Sequence, residues 1–80
     1  GDDRTTYLLQ AGAFRSSSEA ESMKAKLALI GFEARVLTAD VNGQTMYRVR
    51  IGPYAQLDAM NRARARLAEN GIEASVVRQR

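Results

Sequence analysis

Polar and apolar residues follow two different spacings along the 80-residue chain. Four short segments alternate apolar and polar positions, as strands with one buried face do, and two longer segments repeat apolar residues every three or four positions, as amphipathic helices do. The pattern predicts strand, helix, strand, strand, helix, strand. The strands are expected at 5–12, 32–38, 45–51 and 72–78, with a first helix ending at about residue 30 and a second at about 56–70. Gly-Pro at 52–53 is expected to end the third strand and open the second helix.

Short signals at the ends of these segments support the same elements. Ser16 and Glu19 have the spacing of a capping box, in which the serine side chain accepts a hydrogen bond at the start of a helix. Gly31 and Gly71 stand where each helical pattern ends, which is the usual place of a glycine C-cap. Asn-Gly at 42–43 predicts a tight hairpin between the second and third strands.

Residues 5–36 return as residues 45–76, with ten of the 32 aligned pairs identical. Such a repeat indicates one supersecondary unit used twice. Each copy reads strand, helix, strand, so the predicted fold is α+β: a ferredoxin-like or RNP-like βαββαβ domain whose four-stranded antiparallel sheet has the order 4-1-3-2. Both helices are expected on one face of the sheet, leaving the other face bare. The inward helix residues are Ala20, Met23, Leu27, Ile30, Met60, Ala63 and Leu67.

The third strand decides which side chains lie on the bare face. Its apolar residues alternate with Met46, Arg48 and Arg50, and burying two unpaired guanidiniums would be strongly unfavourable. These three residues are therefore expected to face outward. The repeat transfers the assignment to the first strand, where Leu8 and Gln10 face outward as well. The inward residues of the two strands are Tyr7, Leu9, Ala11, Tyr47, Val49 and Ile51.

Composition limits the possible functions. The chain carries 12 Lys and Arg against 9 Asp and Glu, a net charge of +3, which leans toward an anionic partner. It contains no cysteine and no histidine, so thiolate and imidazole metal ligands and disulfides are excluded. No apolar run approaches the roughly 18 residues of a membrane span. The length fits one domain, expected at 5–80 after a linker at 1–4.

The centre of the bare face is the candidate binding site. Gln10 and Arg50 occupy equivalent positions in the two copies, as do Leu8 and Arg48. An exposed antiparallel face is normally polar, so arginines there do not by themselves require a ligand. The first strand, however, offers neither Asp nor Glu to pair with them, and the guanidinium fork suits a carboxylate or phosphate. This face therefore favours an anionic ligand over a merely solvated surface.

The other charged and aromatic residues have structural interpretations. Phe14 and Tyr54 are equivalent aromatics just beyond the glycine of each copy, and we expect them to close the end of the core beneath the helices. The helix cations are spread around their helices rather than gathered in a stripe, so we interpret them as solvent-exposed. They are Lys24, Lys26, Arg62, Arg64 and Arg66.

Catalysis has little support in the sequence. Glu33 and Glu73 are the one matched acid pair, but they precede the two edge strands and are expected roughly 14 Å apart across the sheet. Paired carboxylates that cleave glycosides lie about 5–9.5 Å apart. Without His, Cys or a clustered acid pair, no nucleophile and base can be assembled. We therefore predict a non-enzyme, with no catalytic residue, metal site or cofactor.

The chain resembles the SPOR domain, the sporulation-related repeat of bacterial cell-envelope proteins. The resemblance covers about residues 5–78. It includes Gln-x-Gly-x-Phe at 10–14, glycine followed by an aromatic at 31–32, Arg-Val-x-Ile-Gly-Pro-Tyr at 48–54 and an Ala/Arg-rich second helix. Within this family the chain resembles the C-terminal domain of a bacterial cell-division protein, and the SPOR domains of lytic transglycosylase-like proteins and amidases are the alternatives.

The resemblance implies binding to peptidoglycan glycan strands from which amidases have removed the stem peptides. It also implies a monomeric septal targeting module in the periplasm, without membrane contact of its own, in a parent protein anchored in the inner or outer membrane. The family's binding Gln, Arg and aromatic correspond to Gln10, Arg48 and Met46. Its small polar residue corresponds to Ala13, and its fourth-strand apolar residue to Val76, which strand alternation sends inward. The expected glycan-binding residues are Leu8, Gln10, Ala13, Met46, Arg48, Arg50 and Val76.

Two other functions are compatible with the same element order. An RNA-recognition motif shares the βαββαβ order and binds RNA on its sheet face, but it needs outward aromatics on the first and third strands. Here the outward residues include no aromatic ring, and both strand tyrosines are expected inward, so we predict no nucleic-acid partner. The second alternative is a protein-interaction module without a ligand of its own.

Overall fold

A computed structural model describes residues 4–80 of the chain, so the expected linker lies outside the described residues except for Arg4. The elements are β1 (Thr6–Phe14), α1 (Ser17–Leu29), β2 (Ala34–Val41), β3 (Gln44–Tyr54), α2 (Leu57–Glu69) and β4 (Ser75–Gln79). All neighbouring strands are antiparallel, in the order β2-β3-β1-β4. Read from the other edge this is the predicted order 4-1-3-2, so the predicted α+β fold is confirmed. Within the described residues, neither helix is long and apolar enough to cross a membrane.

Local signals account for the ends of the helices and for the hairpin. The Ser16 hydroxyl accepts a hydrogen bond from the Glu19 backbone N–H at 3.2 Å, as the capping-box spacing predicted. In α2 the N-cap residue is Gln56, whose side chain makes no capping hydrogen bond. Asn42 and Gly43 both have positive φ, of 54° and 78°, which matches the tight turn predicted between β2 and β3.

The core lies between the helices and one face of the sheet. Tyr54 and Phe14 pack against its edge, as expected, and partial burial raises the pKa of the Tyr54 hydroxyl because it penalises the charged form. The inward assignment of strands and helices is confirmed. The buried apolar residues are Leu9, Ala11, Ala20, Leu27, Phe32, Ala34, Val49, Ile51, Met60, Leu67, Ile72 and Ala74.

Two bulges interrupt the pairing of β1 with β3. β1 has an extra residue between Gln10 and Gly12, and β3 has one between Ile51 and Tyr54. An extra residue shifts the alternation of side chains by one position. As a result, Phe14 of β1 and Tyr54 of β3 each lie on the helix side of the sheet, two residues after a glycine. The bulges also set which residues reach the uncovered face.

The expectation that the Gly-Pro step ends the third strand is wrong. β3 continues through Gly52 and Pro53 to Tyr54, which pairs with Tyr7, and α2 begins only at Leu57. Gly52 has a φ of 124°, and its peptide bond to Pro53 is cis. The bulge explains the difference, because it is a place in a sheet where a residue without an N–H donor is tolerated.

The helix cations are exposed, as interpreted, and Arg66 also makes contacts with α1. Its guanidinium donates a hydrogen bond to the backbone carbonyl of Ile30 at 2.6 Å and lies over the Phe32 ring, 5.1 Å from the ring centre. Ile30 is the C-cap of α1, where carbonyls lack helical partners and a cation is favourable. Arg66 thus ties α2 to the end of α1.

Candidate functional site

The sheet has one face that no helix covers, called the open face. Directly opposed residues of antiparallel strands share a face, so the register assigns each side chain. No aromatic or acidic residue is among the open-face residues. They are Thr6, Leu8, Gln10 and Ala13 on β1; Arg35, Leu37, Ala39 and Val41 on β2; Gln44, Met46, Arg48 and Arg50 on β3; and Ser75, Val77 and Gln79 on β4.

The open face brings together six of the seven residues expected to bind the ligand. Ala13 reaches it because of the β1 bulge: Gly12 pairs with the buried Val49, and Ala13 pairs with Arg48. Strict alternation from Gln10 would have sent Ala13 to the helix side. The six residues are Leu8, Gln10, Ala13, Met46, Arg48 and Arg50.

Gln10 and Arg50 form a hydrogen-bonded pair at the centre of this face. The Arg50 Nε–H donates to the Gln10 side-chain oxygen at 3.0 Å, and both side chains are partly buried. Because that oxygen accepts from Arg50, the Gln10 amide nitrogen is left to donate elsewhere. Within residues 4–80, no carboxylate pairs with Arg50, and its two terminal nitrogens have no other partner. The pair therefore presents donors to a ligand.

Arg48 lies on one wall of a shallow groove, called the Arg48 groove. The groove has a volume of about 420 Å³ and contains Gln10, Ala13, Arg15 and Met46 among its lining residues. Arg48 has small or apolar neighbours, Ala13 and Leu37, across the two adjacent strands. In the described part of the chain its guanidinium makes no hydrogen bond or ion pair, so the fork is free for an anion.

Val76 lies on the other face from the remaining predicted site residues. It pairs with Leu9, which is fully buried, so the register places Val76 on the helix side, where it is 39% exposed at the sheet edge. Its neighbour Val77 pairs with Leu8 on the open face. The alternation of the sequence gives the same placement, and Val77 is the fourth-strand apolar residue next to the site.

Several open-face and groove residues were not predicted as site residues, among them Arg15, Arg35 and Leu37. Arg15 follows β1 and lines the Arg48 groove. Arg35 and Leu37 on β2 pair with Arg50 and Arg48. The last two could have been found, because Ala34 is the repeat equivalent of Ala74 and strand alternation from this buried alanine sends Arg35 outward. Arg15 lies beyond the bulge, where alternation gives no guidance.

A second groove continues the site around the edge of the sheet. β4 pairs with β1 only as far as Ser75 opposite Gln10, so the chain separates from β1 beyond that point. The space, about 580 Å³, is lined by Gly12, Arg64 and Glu73 together with Gln10 and Ser75. This groove is lined by both a positive and a negative side chain, whereas the charged residues of the open face are all positive.

The acidic side chains of the described residues form no metal-binding cluster. Between residues 4 and 80, no three His, Cys, Asp or Glu side chains are placed to hold a metal ion. Glu33 and Glu73 both lie in the segments between a helix and its following strand. The chemistry available on the open face is that of guanidinium and amide donors beside apolar side chains.

Known proteins are similar to this chain in sequence and in fold. The family model of the SPOR domain matches residues 3–78. The chain is similar to the SPOR domain of RlpA from Pseudomonas aeruginosa, with 32% identity, a TM-score of 0.79 and coverage of 92% of this chain and 99% of that one. It is also similar to the peptidoglycan binding domain of the B. subtilis cell wall lytic enzyme CwlC, with 29% identity, a TM-score of 0.83 and coverage of 100% and 96%. Among curated proteins, no sequence matches it significantly.

Proposed function

The chain belongs to the SPOR domain family, and we propose that it binds peptidoglycan through its open face, selecting glycan strands that lack stem peptides. One observation carries the proposal. The open face presents Arg48, Arg50 and the Gln10 amide at its centre without any carboxylate among its residues. The peptidoglycan-binding domain of CwlC, a structural neighbour over the whole chain, supports the same class of ligand.

The charge on the glycan explains how the face would select denuded strands. An amidase that cuts between the lactyl group and the first stem residue turns a neutral amide into a carboxylate on each N-acetylmuramate. Arg48 and Arg50 can each pair with such a carboxylate, and a charge-assisted hydrogen bond is worth about 1.5–3 kcal/mol. Intact peptidoglycan lacks this charge, and its stem peptides would hold the glycan away from a flat sheet.

Gln10 is suited to the neutral part of the sugar. Its side-chain oxygen is occupied by Arg50, so its amide nitrogen can donate to an N-acetyl carbonyl or to a hydroxyl. Leu8, Met46 and Val77 supply apolar surface on the same face for the sugar rings. No aromatic lies among the open-face residues, so ring-on-base stacking of the kind RNA-recognition motifs use has no platform there.

This binding gives the domain a role in localisation rather than in catalysis. We propose that it acts as a monomer in the periplasm, without contacting the membrane, and directs its parent protein to the division septum. Septal peptidoglycan is where amidases leave denuded strands during division. The domain itself would cleave nothing, because its open face offers donors but no base or nucleophile.

Binding to purified sacculi tests the proposal. The domain is incubated with sacculi treated or not treated with an N-acetylmuramoyl-L-alanine amidase, and the bound fraction is measured after sedimentation. We expect binding to rise severalfold after treatment and to fall again when a muramidase then cuts the glycan into disaccharides. Equal binding to treated and untreated sacculi would contradict the proposed selectivity, and binding to neither would contradict the function itself.

A further inference from the structure

Arg35 and Arg50 lie directly opposite each other on the open face. Arg35 of β2 pairs with Arg50 of the central strand β3, so their side chains leave the sheet side by side. Like charges at directly opposed positions destabilise a sheet. Within residues 4–80, neither arginine has a carboxylate partner, and Arg35 makes no hydrogen bond to another side chain. The fold therefore keeps an unfavourable charge pair that an anion would relieve.

The two arginines line a groove at the opposite end of the sheet from the Arg48 groove. This Arg35 groove has a volume of about 260 Å³, and its other lining residues are small, apolar or amide side chains, among them Leu8 and Leu37. The Nε of Arg50 is held by Gln10, which leaves the terminal nitrogens of Arg50 and the whole Arg35 fork for a ligand.

The internal repeat shows that the positive charge is confined to one half of the face. The repeat equivalents of Arg35 and Arg50 are Ser75 and Gln10, which are likewise opposed across β4 and β1. One row across the sheet thus reads Ser75, Gln10, Arg50, Arg35, neutral in one half and doubly charged in the other. The duplicated framework accepts neutral residues at these positions, so it does not require the arginine pair for packing.

We propose that Arg35 and Arg50 form a second anion subsite, occupied by the carboxylate of another acidic sugar on the same glycan strand. This inference rests on the proposed function. The centres of the two grooves lie about five residues apart along β3, or roughly 17 Å at the strand rise. That distance exceeds one disaccharide, so the acidic sugars in the two grooves would belong to different disaccharides of one strand running along β1 and β3.

If this second subsite exists, Arg35 should contribute to the affinity for long glycans but not to the affinity for a disaccharide. Affinities of the parent chain and of Arg35→Gln are measured by calorimetry for denuded glycans of two sugars and of eight sugars. We expect Arg35→Gln to weaken binding of the long glycan about three- to tenfold, since it removes one ion pair, and to leave the disaccharide within about twofold. The matched control Arg62→Gln removes the same charge from an exposed position on α2 and should change neither affinity.

Additional measurements test whether the anion is the glycan carboxylate and distinguish the second subsite from glycan binding itself. Glycan whose carboxylates have been reduced to alcohols should bind Arg35→Gln and the parent chain equally. An equal loss for both lengths, or no difference from Arg62→Gln, would overturn the second subsite while the parent chain still bound glycan. A parent chain that bound neither glycan would overturn the proposed function instead.

Discussion

Replacing Arg48 by alanine is expected to weaken binding of denuded glycan by about 1–3 kcal/mol, or roughly five- to 150-fold, with the fold intact. Arg48 lies on a central strand between Ala13 and Leu37, neither of which can supply another donor to the same anion. Its side chain makes no hydrogen bond within residues 4–80, so its loss should leave the unfolding midpoint nearly unchanged. Calorimetric titration with a purified denuded glycan measures the effect.

Three further variants make this test specific. Arg48→Lys keeps the charge but loses the fork, so it should recover only part of the affinity. Arg62→Ala removes an equal charge on α2 and should bind as the parent chain does. Gln10→Ala should also weaken binding by about 1–3 kcal/mol. If both Arg48→Ala and Gln10→Ala bound glycan like the parent chain, the assignment of the site to the open face would be wrong.

Replacing Gly52 by alanine is expected to give the largest loss of stability, on the order of 3 kcal/mol. Gly52 has a φ of 124°, which side chains other than hydrogen adopt only with strain. An added Cβ would lie 2.9 Å from the Tyr7 carbonyl oxygen and 3.2 Å from Leu8 Cδ2. The backbone oxygen belongs to the paired strand β1 and cannot move without disturbing the sheet.

The stability of the Gly52→Ala variant can be measured by chemical denaturation. For a domain of this size, such a loss would lower the thermal midpoint by roughly 10–25 °C. Gly71→Ala is the matched control: its φ is 76°, but no atom beyond its chain neighbours lies within 4 Å of the added Cβ. It should lose only about 1 kcal/mol, the conformational part of the effect. Equal losses in the two variants would contradict the role of the close approach at the β3 bulge.

Much of the fold could be predicted because independent local signals agreed. Capping at Ser16, the glycine stops after each helix and the Asn-Gly turn all fitted one element order, and the repeat turned that order into a sheet topology. The third strand also decided which residues of the first strand face outward. An unpaired guanidinium is not buried, so Arg48 must face outward, whereas its repeat equivalent Leu8 could face either way.

The bulges could not be predicted from alternation. A bulge adds one residue to one strand of a pair, and its effect depends on the register between β1 and β3, which are forty residues apart in sequence. For that reason the sequence suggested that Gly52 and Pro53 end the strand, whereas the strand passes through them to Tyr54. The placement of Ala13 on the open face has the same origin.

Within the site, single positions were predicted better than interactions between side chains. Arg48, Arg50 and Gln10 follow from alternation, but the hydrogen bond between Arg50 and Gln10 depends on their direct opposition across two strands. The contact of Arg66 with Ile30 likewise depends on how α2 lies against the end of α1. Such long-range contacts need the packed structure.

The most direct test of the open face is a titration of the ¹⁵N-labelled domain with denuded glycan, followed by NMR. The side-chain resonances of Gln10, Arg48 and Arg50 are expected to shift together in a saturable manner, because these groups contact the sugar. The Nε–H resonance of Arg62 on α2 should stay unchanged. Shifts concentrated in the helices, with the Gln10 amide and both strand arginines unmoved at saturation, would contradict the account.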